Sequence, residues 1–143
     1  MKNVDLLVRR LVPEIENRDI LEAACGVGEF TNAASFFARS VSCIDLDDRK
    51  LRLLNRDNIH FQQMDASRML YSDEAFDGVF FYNAFAHVLS QWEAIERECR
   101  RVLRPGGGIW VAATWKIDIG QMEKVFGNRV QRFGNFSVVK IEK

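Results

Sequence analysis

The chain has no net charge: 20 Lys and Arg balance 20 Asp and Glu over 143 residues. A protein that grips nucleic acid through a broad basic field is therefore not expected. The basic run Arg97 to Arg104 reads as the solvated face of an amphipathic helix. Cysteine is scarce and odd in number. Cys25, Cys43 and Cys99 have no paired spacing, which argues against a disulfide framework or a zinc site and fits a reducing, cytoplasmic setting. No apolar run is long enough to span a bilayer. Residues 1–17 lack the apolar core and small-residue cleavage site of a secretory signal. No repeat, low-complexity tract or linker interrupts the chain, so residues 1–143 read as one domain.

What is present is an ordinary globular composition, 48% apolar and 28% charged, arranged in alternating short apolar runs and amphipathic stretches. Strands are expected at 19–24, 40–45, 58–64, 76–83 and 109–115. Helices are expected at 3–12, 28–39, 47–55, 90–104 and 119–128. Pro13 should close the first helix, and Ser90 with Glu93 should form the capping box of the fourth. Residues 104–108, RPGGG, read as a turn. The tail reads as two strands broken at Gly134-Asn135. Strands alternating with helices give an α/β fold: a mostly parallel twisted sheet, helices on both faces, and an antiparallel C-terminal strand. In such sheets ligands bind beyond the carboxyl ends of the strands. Asp45, Met64-Asp65 and Tyr82-Asn83 all fall at such ends.

The stretch DILEAACGVGEFT, 19–31, joins the first strand to the next helix through Gly26 and Gly28. Two glycines alone say little, because a tight strand-to-helix turn favours glycine whatever it binds. A dinucleotide fingerprint needs a third glycine, and Glu29 puts a negative charge where a pyrophosphate would lie. A phosphate-binding P-loop is absent as well.

Six short motifs in order carry a resemblance. They are Glu22–Gly28 (EAACGVG), Asp45 in CIDLD, Met64-Asp65-Ala66, Phe76–Val79 (FDGV), Asn83–Val88 (NAFAHV) and Arg101–Gly107 (RVLRPGG). Over about residues 18–115 the chain resembles the class I S-adenosylmethionine-dependent methyltransferases, in particular their small-molecule, type 11 branch. The resemblance implies a Rossmann-like class I methyltransferase fold and S-adenosyl-L-methionine as cofactor. It implies that Ala24, Gly26 and Gly28 lie against the methionine end, with Glu22 orienting the ammonium. Asp45, 17 residues after Gly28 (45 − 28 = 17), takes the place of the acid that holds both ribose hydroxyls. A carboxylate offers the two acceptors a diol requires. Asp65 is expected beside the adenine amino group, Leu46, Met64 and Ala66 around the ring, and the Asn83 carbonyl at the ammonium.

His87 is the candidate catalytic residue. It stands either packed at a helix start or facing the transfer site, where an imidazole titrating near pH 6.5 suits a base. Trp115 either lines the acceptor pocket or covers an edge. The cofactor half of the family pattern is complete, whereas the segments that shape the acceptor pocket in that family are short here. The expectation is methyl transfer to a small-molecule acceptor, with a homodimer or partner chain completing the acceptor side. The alternative is a cofactor-binding, catalytically incomplete partner subunit. An NAD-dependent oxidoreductase fits the fold but not Glu29 or the Pro105-Gly106 turn.

Overall fold

The computed structural model describes residues 2–143. The chain opens with α1 (Asn3–Arg10) and the single turn α2 (Val12–Ile15), then β1 (Asp19–Ala23), α3 (Glu29–Ala34), β2 (Ser40–Asp45), β3 (Ile59–Gln63) and β4 (Phe76–Tyr82). It continues through α4 (Phe85–Val88), α5 (Trp92–Val102), β5 (Leu103–Ala113), α6 (Lys116–Phe126), β6 (Gln131–Phe133) and β7 (Phe136–Glu142). The seven strands form one sheet in the order β3-β2-β1-β4-β5-β7-β6. The first five are mutually parallel, and β7 runs antiparallel to both β5 and β6. The strand order reverses between β1 and β4, which opens a crevice at their carboxyl ends.

Two apolar layers cover the sheet. On one face Leu7, Val8, Ile15, Phe30 and Ala34 pack against Ile20, Val41 and Phe80, and Phe30 stacks on Phe80 with centroids 5.1 Å apart. On the other, α5 buries Trp92, Ile95, Cys99 and Val102, a one-sided stripe with helical spacing. Trp92 meets Phe81 and Phe85 edge-on.

The opposite end of the sheet, at the strand starts, is tied by charge. Asp77 accepts a hydrogen bond from the Asp19 N–H at 2.9 Å and pairs with Arg104 at 3.1 Å. Asp19 in turn accepts from Arg39, Ser40 and Arg104, and its carboxyl is held far below the ordinary range, chiefly by Arg39. The Asp of FDGV and the second Arg of RVLRPGG thus belong to an ion-pair cluster remote from the crevice. A side chain at Gly107 would come within 2.8 Å of the Asp77 carbonyl, so that turn has no room for one.

Several elements differ from the expectations. Pro13 does not end a helix; it lies in the first turn of α2, where its missing N–H costs nothing. The helix expected over 28–39 is shorter, ending at Ala34. Residues 47–55 form no helix. Asp47 takes up the Arg49 N–H at 2.8 Å, and the segment is then stitched to α3. Asn32 donates to the Arg52 carbonyl and accepts from the Leu54 N–H, and the Arg52 N–H donates to the Val27 carbonyl. Tertiary hydrogen bonds replace the i to i−4 ladder, and the Leu53 side chain is laid over Gly28. The capping box at Ser90 does not form either: Ser90 lies in a 3-10 turn, and α5 begins at Trp92 with no side-chain cap. The RPGGG stretch loops out within β5, where Leu103 pairs with Phe76 and Gly108 with Gly78. At the tail, Gly134 takes a left-handed conformation, φ 57°, and reverses the chain between β6 and β7.

Candidate functional site

A cleft of about 580 Å³ lies at the carboxyl ends of β1, β2 and β4. Its floor is the turn after β1, in which Ala24, Gly26 and Gly28 all take positive φ (55°, 56° and 96°). That is a rare conformation for a residue bearing a Cβ, so Ala24 is held there by its surroundings. A Cβ placed on Gly26 would meet no protein atom within 4 Å. It would project into open space at the cleft. At Gly28 the reason for glycine differs, because a Cβ would come within 2.6 Å of the Leu53 side chain.

Asp45, at the tip of β2, braces this turn. One carboxylate oxygen accepts the Gly26 N–H at 2.8 Å and the other accepts the Asp47 N–H at 3.1 Å. Each oxygen has a second lone pair, so the carboxylate can still receive two hydroxyl donors. Glu22 is buried on β1. Its Oε1 accepts from the Thr31 N–H at 3.0 Å and the Thr31 hydroxyl at 2.8 Å. Burial pushes its carboxyl well above the ordinary range, against the opposing pull of Thr31. Asp65 uses Oδ1 to cap its own turn through the Ser67 N–H and hydroxyl, at 2.8 and 2.7 Å. The Ser67 hydroxyl also holds its carboxyl below the ordinary range.

The structure brings Glu22, Ala24, Gly26, Gly28, Asp45, Leu46, Asp65, Ala66, Asn83 and His87 to the walls of this one cleft. Met64 is not among the lining residues. Its thioether turns into the core, where the sulfur accepts the Leu70 N–H at 3.4 Å, so it packs behind the cleft rather than in it. Leu46 is 67% exposed and forms an open apolar rim. Asn83 follows β4 in a left-handed conformation, φ 50°. Its side-chain oxygen is already engaged, accepting from the Thr114 and Trp115 N–H groups at 2.8 and 3.3 Å. His87 is exposed on α4 at the cleft wall. Trp115, 56% exposed, lines the same mouth.

The charge of the lining was not read from the sequence. Apart from the buried Glu22, the carboxylates of Glu29, Asp45, Asp47 and Asp65 face a single cation, Lys50, among the described lining residues. Such a cleft opposes a pyrophosphate and favours a ligand that carries positive charge. Glu29 was read as one negative charge at the turn and Asp47 gave no motif signal; the fold brings them to the same opening.

A family model described as a methyltransferase domain, type 11, matches residues 21–111. The chain belongs to the type 11 methyltransferase-domain family. It is 28% identical over 142 residues to a fatty-acid O-methyltransferase of Mycolicibacterium smegmatis, covering 89% of this chain and 50% of that one. To a demethylmenaquinone methyltransferase of Clavibacter sepedonicus it is 29% identical over 105 residues, covering 70% of this chain and 42% of that protein. The chain thus spans half or less of the length of these curated relatives. A SAM-dependent methyltransferase of Aquifex aeolicus superposes with a TM-score of 0.74 at 17% identity, over 96% of this chain and 88% of that one, which establishes the fold as Rossmann-like.

The cleft fits S-adenosylmethionine. The space above Gly26 is open, the Asp45 carboxylate has the free acceptors a ribose diol needs, and the surplus of acid suits a ligand bearing sulfonium and ammonium.

Proposed function

We propose that this chain is the cofactor-binding domain of a methyltransferase that uses S-adenosyl-L-methionine to methylate a small-molecule acceptor. The observation that carries the reading is the acid-rich cleft floored by a bare glycine turn. Bound S-adenosylmethionine supplies a methyl group already activated on a sulfonium, so the protein's work is alignment rather than bond chemistry. Asp45 receives the ribose hydroxyls. Glu22 and the Asn83 carbonyl hold the ammonium, Asp65 receives the adenine amino group through Oδ2, and Leu46 and Ala66 flank the ring. His87, which lines the same cleft as Trp115, takes the proton of a hydroxyl or thiol acceptor as it attacks in line.

Among the described residues no helix is long and apolar enough to cross a membrane. Three buried free cysteines support a reducing, cytoplasmic setting. The open mouth at Trp115 supports cover from a second chain, a homodimer being the commonest form. The named relatives act on a fatty acid and on demethylmenaquinone, which supports a small, largely apolar acceptor. Labelled S-adenosylmethionine incubated with the chain and a panel of carboxylic acids, phenols, thiols and amines tests this. Label appearing in one acceptor class supports the reading. Cofactor binding with no transfer to any class, alone or as the oligomer, favours a catalytically incomplete partner subunit.

A further inference from the structure

The wall on the acceptor side of the cleft is built from two loops, one after β4 and one after β5. Asn83, Ala84, His87 and Val88 come from the first, and Trp115 from the second. Each loop reaches across to the other with one side chain. From the β4 loop, the Asn83 side chain accepts the Thr114 and Trp115 N–H groups. From the β5 side, Asp118 in the first turn of α6 accepts the Ala86 N–H at 2.8 Å. The ties are reciprocal: each loop supplies an acceptor side chain and each offers backbone donors.

Asp118 is 1% exposed. A carboxylate is an expensive group to bury, and here only one of its oxygens has a partner; Oδ2 has none among the described residues. A purely apolar side chain would fill that space at lower cost. What the carboxylate adds is an acceptor at the start of α4, whose own N-cap position, Ala84, has no side-chain acceptor. Ala86 immediately precedes His87. The hydrogen bond therefore fixes the turn that carries the imidazole, and Asp118 itself lies three residues beyond Trp115.

We propose that Asp118 is a positioning residue that locks the β4 and β5 loops into one rigid acceptor wall and thereby fixes the two segments that carry His87 and Trp115 at the cleft. The proposal rests on the methyltransferase reading for its purpose, but its geometry is testable without any acceptor. Two variants of the full chain separate the acceptor role from space filling. Asp118→Asn keeps a carbonyl oxygen for the Ala86 N–H, whereas Asp118→Leu keeps the volume and removes the acceptor.

The readouts are the His87 imidazole and Trp115 indole signals in nuclear magnetic resonance spectra, with His60 on β3 as internal control. Calorimetric titration with S-adenosylhomocysteine is run alongside. In Asp118→Leu the His87 and Trp115 signals should shift or broaden while His60 holds, and affinity for S-adenosylhomocysteine should change by less than about tenfold. Asp118→Asn should restore both signals. Unmoved His87 and Trp115 signals in Asp118→Leu overturn the proposal, and so does an Asp118→Asn protein that behaves like Asp118→Leu. Failure of Asp118→Leu to fold while Asp118→Asn folds also overturns it, since the tie would then hold the fold rather than the wall. If the parent does not bind S-adenosylhomocysteine, the functional reading fails instead, and the resonance comparison still decides the role of Asp118.

Discussion

The Asp45 carboxylate accepts the Gly26 N–H at 2.8 Å, joining the tip of β2 to the bare turn after β1. The acid proposed to hold the ribose and the glycine proposed to face the methionine end are therefore one mechanical unit. Asp45→Ala should weaken S-adenosylhomocysteine binding through the lost ribose contact and through a loosened turn. Losing charge-assisted hydrogen bonds costs about 1.5–3 kcal/mol, or roughly ten- to hundredfold in affinity. Calorimetric titration measures the loss, and circular dichroism should show the sheet intact. Unchanged affinity would remove Asp45 from the site.

Gly28→Ala tests the same turn from the other side. At φ 96° an alanine is strained, and its Cβ collides with Leu53. Left-handed strain of about 1–2 kcal/mol should appear as lower stability in denaturant. Leu53→Ala in the same chain should recover only the steric part. Full recovery would mean that the backbone conformation carries no cost.

Glu22 is held protonated above the ordinary carboxyl range by burial. A bound ammonium nearby favours the ionised form, so binding should release a proton. Affinity should rise as pH climbs above the ordinary carboxyl value of 4.5, and level off once the free protein is itself ionised. Titrations in buffers of different ionisation enthalpy measure the released proton. Glu22→Gln should abolish it. A pH-independent affinity in the parent would contradict the assignment.

The strand starts behave oppositely. Asp19 is pulled far below its ordinary 3.8 by Arg39. A lowered carboxyl contributes stability that is present above the unfolded value and lost as pH falls towards the folded one. Thermal midpoints of the parent and Asp19→Asn should differ near neutrality and converge in acid. Because this cluster lies at the far end of the sheet, cofactor affinity at neutral pH should be the same in both.

His87→Ala separates transfer from binding. Affinity for S-adenosylhomocysteine should hold while turnover of a hydroxyl or thiol acceptor falls by about 10²–10⁴. Equal loss of both would make His87 a packing residue.

The strands were legible because buried parallel strands read as apolar runs, and β2 matches its expected range of 40–45. The helix expected at 47–55 was not, because the backbone groups of Arg52 and Leu54 take the Asn32 side chain on α3 as partner, which sequence spacing does not reveal. Met64 carried a motif position, yet it faces the core, since strand-end geometry and not the motif sets which way a side chain turns. The roles of Asn83 and Asp118 as cross-loop ties join residues distant in sequence and leave no local pattern. The acidic character of the cleft is hidden in a chain whose total charge is zero.

The central claim is that this cleft takes an adenosyl sulfonium ligand and not a dinucleotide. Calorimetric titration of the purified chain with S-adenosylhomocysteine and, separately, NADH tests it most directly. Saturable binding of S-adenosylhomocysteine is expected, with a thermal stabilisation of about 2.7 kcal/mol at a hundredfold over the dissociation constant, and no heat with NADH. Binding of NADH with S-adenosylhomocysteine ignored would contradict the account.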